Sequence, residues 1–451
     1  MELYIHFTND QPKYIQIYQR IRQYILEKKI DAHYKLPSKR NLAQQLNVSI
    51  LTVQTAYEQL QSEGYIYSIE RQGSFVSAFD EAWQYSEKPV VLKEAANKPS
   101  AIINFKNGQV DDTAFPYKHW LRIYKNELNE LGGGTAPWQG EYSLRLQLAH
   151  YLSQARGIAC QPEQIYIFNG FQQQLLNICL FFGPQIVGME EPGFIRAKAV
   201  FEQLKLGCKP IPVDDEGCMV PQQSLKLLYT TPAHQYPTGK IMTASRRLHL
   251  LKWAVEHNSY IIEDDYDSEF RYKGAPISTL SHLDSFDRVL YFGTFSKTML
   301  PSLRISYLVM PATLQAEYEK FNRFQKSVVS KVNQRVTARF MEAGNYAKHI
   351  AKMRTLYRTK RNCLIESVHN HLGDEFKMIG DAAGLHIIVH LPAGLDESEA
   401  LARANANGIA IDAVSTMYQQ EKPHNQVMIG YGAPSIDEIK AGIKILGEIW
   451  R

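Results

Sequence analysis

The string Thr294-Phe295-Ser296-Lys297, followed by Pro301-Ser302-Leu303-Arg304, sets a primary amine among hydroxyls, with a guanidinium seven residues on. A lysine just past a strand end can condense with an aldehyde, and a neighbouring hydroxyl and arginine can grip a phosphate. Pyridoxal phosphate carries both groups. Lys297 would form its Schiff base, and Ser296 and Arg304 would bind its phosphate. The string Ile261-Ile262-Glu263-Asp264-Asp265-Tyr266-Asp267 supplies a second requirement, a carboxylate at a strand terminus. A pyridinium nitrogen stays protonated only beside such a group, and only then does the ring draw electrons. Asp264 is the first choice for this partner and Asp265 the near alternative, while Tyr266 could hydrogen-bond the ring hydroxyl.

Three weaker signals fall in the same order along the chain. Asn169-Gly170-Phe171-Gln172 follows a strand and opens a helix, where backbone N–H groups can meet a phosphate. Phe194, in Glu190-Glu191-Pro192-Gly193-Phe194-Ile195-Arg196, could stack on the cofactor ring. Thr231-Pro232-Ala233-His234-Gln235-Tyr236-Pro237-Thr238-Gly239 reads as a loop entering the same cleft. Taken singly, these are an ordinary strand–helix turn, a core aromatic and a connection; their sequence gives them weight.

Such residues need strands that end side by side. Gln164–Phe168, Gln185–Gly188, Leu227–Thr230, Tyr260–Glu263 and Val289–Phe292 are short apolar runs separated by helical stretches. That pattern predicts an α/β unit with a largely parallel sheet covered on both faces. A smaller α/β region starts at Gly384–His390 and finishes in a helix near Ile436–Trp450.

Residues 12–76 are organised differently. A first helix after Pro12 carries Ile17, Ile21, Tyr24 and Ile25 on one stripe. Ser38 can cap a second helix with Leu42, Ala43 and Leu46 inward, and Ser49 a third that buries Val53, Ala56, Tyr57 and Leu60. A ribbon follows, Tyr65–Ile69 and Ser74–Val76 about a turn at Glu70–Gly73. This is the order of a winged helix-turn-helix. Thr52, Gln54 and Thr55 face outward on the third helix, as reading base edges requires. Lys35, Lys39 and Arg40 could hold phosphates, and Arg71 at the hairpin tip could enter a minor groove. Ser38, Ser49 and Gly73, which also cap and turn the module, complete the expected DNA-contacting set.

Charge is silent on this point. The net charge is +4, and residues 1–80 carry nine Lys/Arg against eight Asp/Glu. No apolar run is long enough to cross a bilayer, and the start is no signal peptide. The five cysteines form no CxxC pair, which fits reduced thiols of a cytoplasmic protein and implies neither a disulfide framework nor a zinc site. The sequence divides into a DNA-binding domain at 1–78, a linker at 79–101 mixing charge, Ala and Pro, and an effector domain at 102–451.

The first domain resembles the GntR winged-helix family in Leu36-Pro37-Ser38-Lys39-Arg40-Asn41-Leu42-Ala43, Val48-Ser49, Thr52-Val53 and Gly64–Val76. It departs at Ile50 and Gln54, where that family often has arginine. Residues 102–451 resemble the fold-type I aminotransferases, with large and small domains. The pairing of the two, and the string Glu263–Tyr272, resemble the MocR/GabR regulators. This likeness implies pyridoxal 5'-phosphate on Lys297, paired with Asp264 and Tyr266 and lying against Phe194. It places the phosphate on Gly170, Phe171, Gln172, Thr294, Ser296 and Arg304, and it implies a homodimer, head-to-tail in GabR. One departure matters. Aminotransferases of this fold grip the substrate carboxylate with an arginine near the C-terminus, where this chain has Met428 in Val427-Met428-Ile429-Gly430-Tyr431. A thioether cannot do this, although Arg196 could take over as an effector contact. The expectation is a regulator of double-stranded operator DNA that responds to pyridoxal phosphate supply, as PdxR members do, and is not an enzyme. The alternatives are a GabR-like sensor of an amino acid or amine that displaces Lys297 from the cofactor, a working aminotransferase, and a cofactor-free dimerisation scaffold.

Overall fold

A computed structural model describes residues 5–79, 103–183, 185–272, 274, 278–420, 423 and 425–451. The chain forms two compact units, Met1–Lys98 and Pro99–Arg451. All of the expected linker except Phe79 lies outside the described residues.

In the first unit, α1 (Lys13–Leu26) buries Ile17, Ile21 and Ile25. In α2 (Lys39–Leu46) the N-cap Ser38 accepts from the N–H of Asn41, and Asn47 ends the helix in the left-handed conformation. In α3 (Ile50–Ser62) the N-cap Ser49 accepts from the N–H of Thr52. Each cap satisfies a backbone donor that a helix start leaves unpaired. The antiparallel ribbon of β1 (Ile66–Ile69) and β2 (Gly73–Val76) is the wing, with Ile66 opposite Val76. Val53, Ala56, Tyr57 and Leu60 of α3 join α1 and the wing in one core, and the Tyr57 hydroxyl donates to the carbonyl of Pro37 at 2.9 Å.

The second unit begins with β3 (Ile103–Asn104), α4 (Tyr117–Asn129) and α5 (Tyr142–Arg156). Then come β4 (Ile165–Phe168), α6 (Phe171–Phe182), β5 (Ile186–Glu191), α7 (Ile195–Gln203), β6 (Gly207–Asp214), β7 (Gly217–Cys218), β8 (Leu227–Thr230) and α8 (Ala244–Glu256). The large sheet is completed by β9 (Tyr260–Asp265), β10 (Val289–Thr294) and β11 (Ser306–Val309). Its eight strands run in the order β4-β11-β10-β9-β8-β5-β6-β7. From β10 to β6 neighbours are parallel, whereas β11 is antiparallel to both β10 and β4, and β7 is antiparallel to β6. Consequently β4, β5, β8, β9 and β10 all end at one edge, where an open α/β sheet carries its ligands.

Three of those strands, β5, β9 and β10, outrun the sequence reading. β9 reaches Asp265 and β10 reaches Thr294, so both aspartates and Thr294 stand on the sheet itself. Side chains then alternate between faces. Tyr260 and Ile262 join one core layer and Ile261 the other.

The smaller region packs a long helix (Asn345–His371) against the last helix (Ile436–Ile449). Its four-stranded sheet joins Met378–Ile379, His386–His390, Gln426–Gly430 and Asp412–Ala413 in that order. The opening strand β3 pairs in parallel with Ile409–Ala410, Ile103 opposite Ile409. Phe105 then donates to the carbonyl of Ala410 at 2.8 Å and accepts from the N–H of Gly430 at 2.6 Å.

Candidate functional site

The sheet edge gathers the expected cofactor residues. Register sets Thr294 opposite Ser306, and Ser306 opposite Phe168. The Thr-Phe-Ser-Lys string, the approach to β11 and the turn into α6 therefore lie next to one another. Gly170 is the N-cap of α6, at φ +81°. A Cβ there would collide with the guanidinium of Arg304, so arginine and helix start form one cradle that needs a glycine. Arg304 contacts the carbonyl of Asn169 at 3.4 Å and has no ion pair among the described residues. The N–H of Ser296 is held by the hydroxyl of Thr294 at 3.1 Å. A guanidinium without a carboxylate, beside hydroxyls and the N–H groups of a helix start, suits a phosphate dianion.

The neighbouring aspartates divide between the two faces. Asp265 accepts from Arg156 at 3.0 Å and from the Tyr291 hydroxyl at 2.6 Å, and Arg156 also pairs with Glu269 at 2.9 Å. Asp264 instead accepts from the Tyr229 hydroxyl at 2.5 Å, on the face where Phe171 meets Tyr229, Phe194 and Phe292. Burial, with Asp265, Asp267 and Glu190 nearby, pushes the Asp264 carboxyl up to about 7, while Tyr229 pulls it down. A pyridinium beside it would supply the missing positive charge.

Lys297 stands beside the Gly108 turn. Its amine would lie 3.6 Å from a Cβ on Gly108, and it makes no ion pair among the described residues. Desolvation pushes its pKa down to about 8, opposed by Asp267 and Asp412 and helped by Arg196. At that pKa about one tenth of the amines are neutral at pH 7, against roughly one in 3,000 for an ordinary lysine. Only the neutral amine attacks an aldehyde. Loading of cofactor-free protein, followed by visible absorbance after mixing, should therefore speed up about tenfold per pH unit below 8 and level off above it. A rate still climbing towards pH 10 would contradict this account.

The Tyr266 hydroxyl meets the carbonyl of His234 at 2.9 Å and its Nδ1 at 3.0 Å, and the same Nδ1 contacts Asp267. Phe194 packs on Phe171 and on Tyr236. Arg196, in the first turn of α7, is exposed on the single chain, with its charge felt at Lys297 and Asp412. Met428 is fully buried among Tyr236, Ile388, Val414 and Met417, and its sulfur accepts from the Tyr236 hydroxyl at 3.9 Å. Tyr229, Asp412 and the Asn107-Gly108 turn were not singled out by the sequence, and Tyr236 was named only within the Thr231–Gly239 loop. Asn107 reaches the site because its N–H is held by Asp412 at 2.7 Å.

On the first unit, Arg40, Arg71, Lys35 and Ser38 are exposed and Lys39 is half-buried. Arg71 occupies the wing turn at φ +60°, and Lys35 bridges to Phe75 beside Gly73. The polar tips of α3 are already engaged. Thr52 shares a hydrogen bond with Ser49 at 2.8 Å, Gln54 donates to Glu58 at 2.7 Å, and Thr55 donates to the carbonyl of Leu51 at 3.0 Å.

Residues 13–76 match the model of the bacterial regulatory proteins of the gntR family, and residues 100–422 match aminotransferase class I and II. The chain belongs to the MocR/GabR-type regulators. It is 41% identical to the helix-turn-helix transcriptional regulator YdeL of Bacillus subtilis over 99% of each chain. To the pyridoxine biosynthesis regulator PdxR of Corynebacterium glutamicum it is 27% identical, over 94% of this chain and 93% of that one. Among solved structures it resembles the kynurenine aminotransferase of Pyrococcus horikoshii, with a TM-score of 0.70 and 28% identity over 78% of this chain and 91% of that one. This MocR-type chain is thus a DNA-binding transcriptional regulator with an aminotransferase-like unit, and its cofactor is pyridoxal 5'-phosphate. Among the described residues no helix is long and apolar enough to cross a membrane.

Proposed function

We propose that this regulator reports the supply of pyridoxal phosphate to its operator and does not turn over amino acids. The observation that carries this reading is Met428, buried among apolar side chains where an aminotransferase holds the substrate carboxylate, while the cofactor residues are intact. Without a bidentate arginine, an amino acid forgoes charge-assisted hydrogen bonds worth about 1.5–3 kcal/mol, or at least about tenfold in affinity.

When bound, the cofactor supplies an electron-withdrawing ring and an aldehyde for an amine. Lys297 would present its amine to that aldehyde, and Asp264, aligned by Tyr229, would pair with the ring nitrogen. Phe194 would pack on the ring, and the Tyr266 hydroxyl would hydrogen-bond the ring oxygen. Gly170, Phe171, Gln172, Thr294, Ser296 and Arg304 would hold the phosphate. Residues 1–78 form the DNA-binding domain, 79–101 the linker and 102–451 the effector domain. The regulator acts in the cytoplasm as a homodimer, head-to-tail, so that two winged helices meet one operator.

For the cofactor to be the signal, it must bind two arrangements of the protein unequally. Titration of operator DNA should therefore differ between cofactor-free and loaded protein, and a panel of amino acids and amines should add little. Steady multiple turnover with any amino donor would instead mark an enzyme. The second reading, a GabR-like amine sensor, is favoured by Arg196, whose charge is felt at Lys297. Equal operator affinity with and without cofactor, together with a strong shift by one amine or amino acid, would establish it and overturn cofactor sensing.

A further inference from the structure

The recognition helix carries an apolar tip that its fold does not use. Val53, Ala56, Tyr57 and Leu60 of α3 are buried, yet Ile50 and Leu51, the first two residues after the Ser49 cap, are 47% and 69% exposed. Leu51, Thr55 and Glu58 fall on one stripe, at offsets of four and seven from Leu51. The polar groups around this tip are tied up within the helix: the Thr52 hydroxyl with Ser49, the Gln54 amide with Glu58, and the Thr55 hydroxyl with the Leu51 carbonyl. With its hydroxyl turned back to the helix, Thr55 has its methyl left to offer. The first turn of α3 therefore presents carbon where a groove-reading helix meets base edges.

In the major groove one base offers carbon in return, thymine through its 5-methyl group. We propose that Leu51, with Ile50 beside it, reads thymine methyl groups in each half-site of the operator. Arg40 and Arg71, exposed on α2 and at the wing tip, hold the backbone and leave the choice of base to this tip.

Uracil pairs as thymine does and lacks only the methyl, which gives a clean test. An operator is selected from random duplexes with the full-length protein, and each thymine is then replaced singly by deoxyuridine. Wild-type affinity should fall about fourfold for each methyl that is buried, at one or two thymines per half-site. Leu51→Ala, a change at an exposed position, should bind the thymine operator more weakly and lose nothing further on uracil. Arg40→Ala should weaken both operators by the same factor, keeping their ratio, and flatten the salt dependence. Equal wild-type affinity for thymine and uracil at every position would overturn the proposal. So would a wild-type ratio retained in Leu51→Ala. If that variant also loses oligomer mass, the tip is a protein contact.

Discussion

Lys297→Ala should abolish the visible absorbance of the loaded protein and leave nothing for borohydride to fix, while the winged helix stays folded. The expectation is all-or-none because the linkage is covalent and runs through the Lys297 amine. Lys297 lies three residues past the end of β10, its amine lies against Gly108, and burial holds its pKa near 8. Residual affinity should come from the phosphate cradle at Arg304 and Gly170, which the substitution leaves intact, so cofactor binds and washes out. A variant that still gives a borohydride-stable adduct places the linkage on another lysine. In the operator titration Lys297→Ala should stay at the cofactor-free affinity at cofactor levels that shift the wild type.

The second large effect separates two residues that touch in sequence. Arg156→Met should cost the second unit about 3–5 kcal/mol, because it strands Asp265 and Glu269 as buried carboxylates without their cation. Asp264→Asn should leave cofactor-free stability nearly unchanged. It removes a carboxyl that burial already penalises, and the amide oxygen keeps an acceptor for Tyr229. Loaded with cofactor, the same variant should bind at least tenfold more weakly, having lost a charge-assisted bond to the ring. Urea unfolding followed in the second unit, with and without cofactor, reads both. If Asp264→Asn destabilises the cofactor-free protein as much as Arg156→Met does, the division of labour between the two faces is wrong.

What was legible in the sequence is what is local. Helix caps at Ser38 and Ser49, the stripe on α1 and the parallel strands announce themselves within a few residues. The order of the strings around Gly170, Phe194, Asp264 and Lys297 placed them at one sheet edge, because parallel strands must end together. Long-range contacts were hidden. The choice between Asp264 and Asp265 depends on which face of β9 meets Arg156, more than a hundred residues away. Tyr229 sits inside an apolar run and reads as core until its hydroxyl is seen on Asp264. Asn107 and Gly108 carry no motif and owe their position to Asp412. The outward residues of α3 are polar by type, but types do not reveal that Thr52, Gln54 and Thr55 bond to groups of their own helix and its cap.

The strand that opens the second unit is only two residues long, yet its place in the chain gives it leverage. From Ile103 it is five peptide bonds to Gly108, a stretch of at most about 18 Å even when fully drawn out. The backbone is pinned at Ile103, Phe105 and Asn107, which leaves no slack to absorb a displacement beside Lys297. In the other direction the same thread runs covalently back to the winged helix. A change in what fills the space around Lys297 should thus be felt at Asn107, Phe105 and Ile103, the residues that open the second unit.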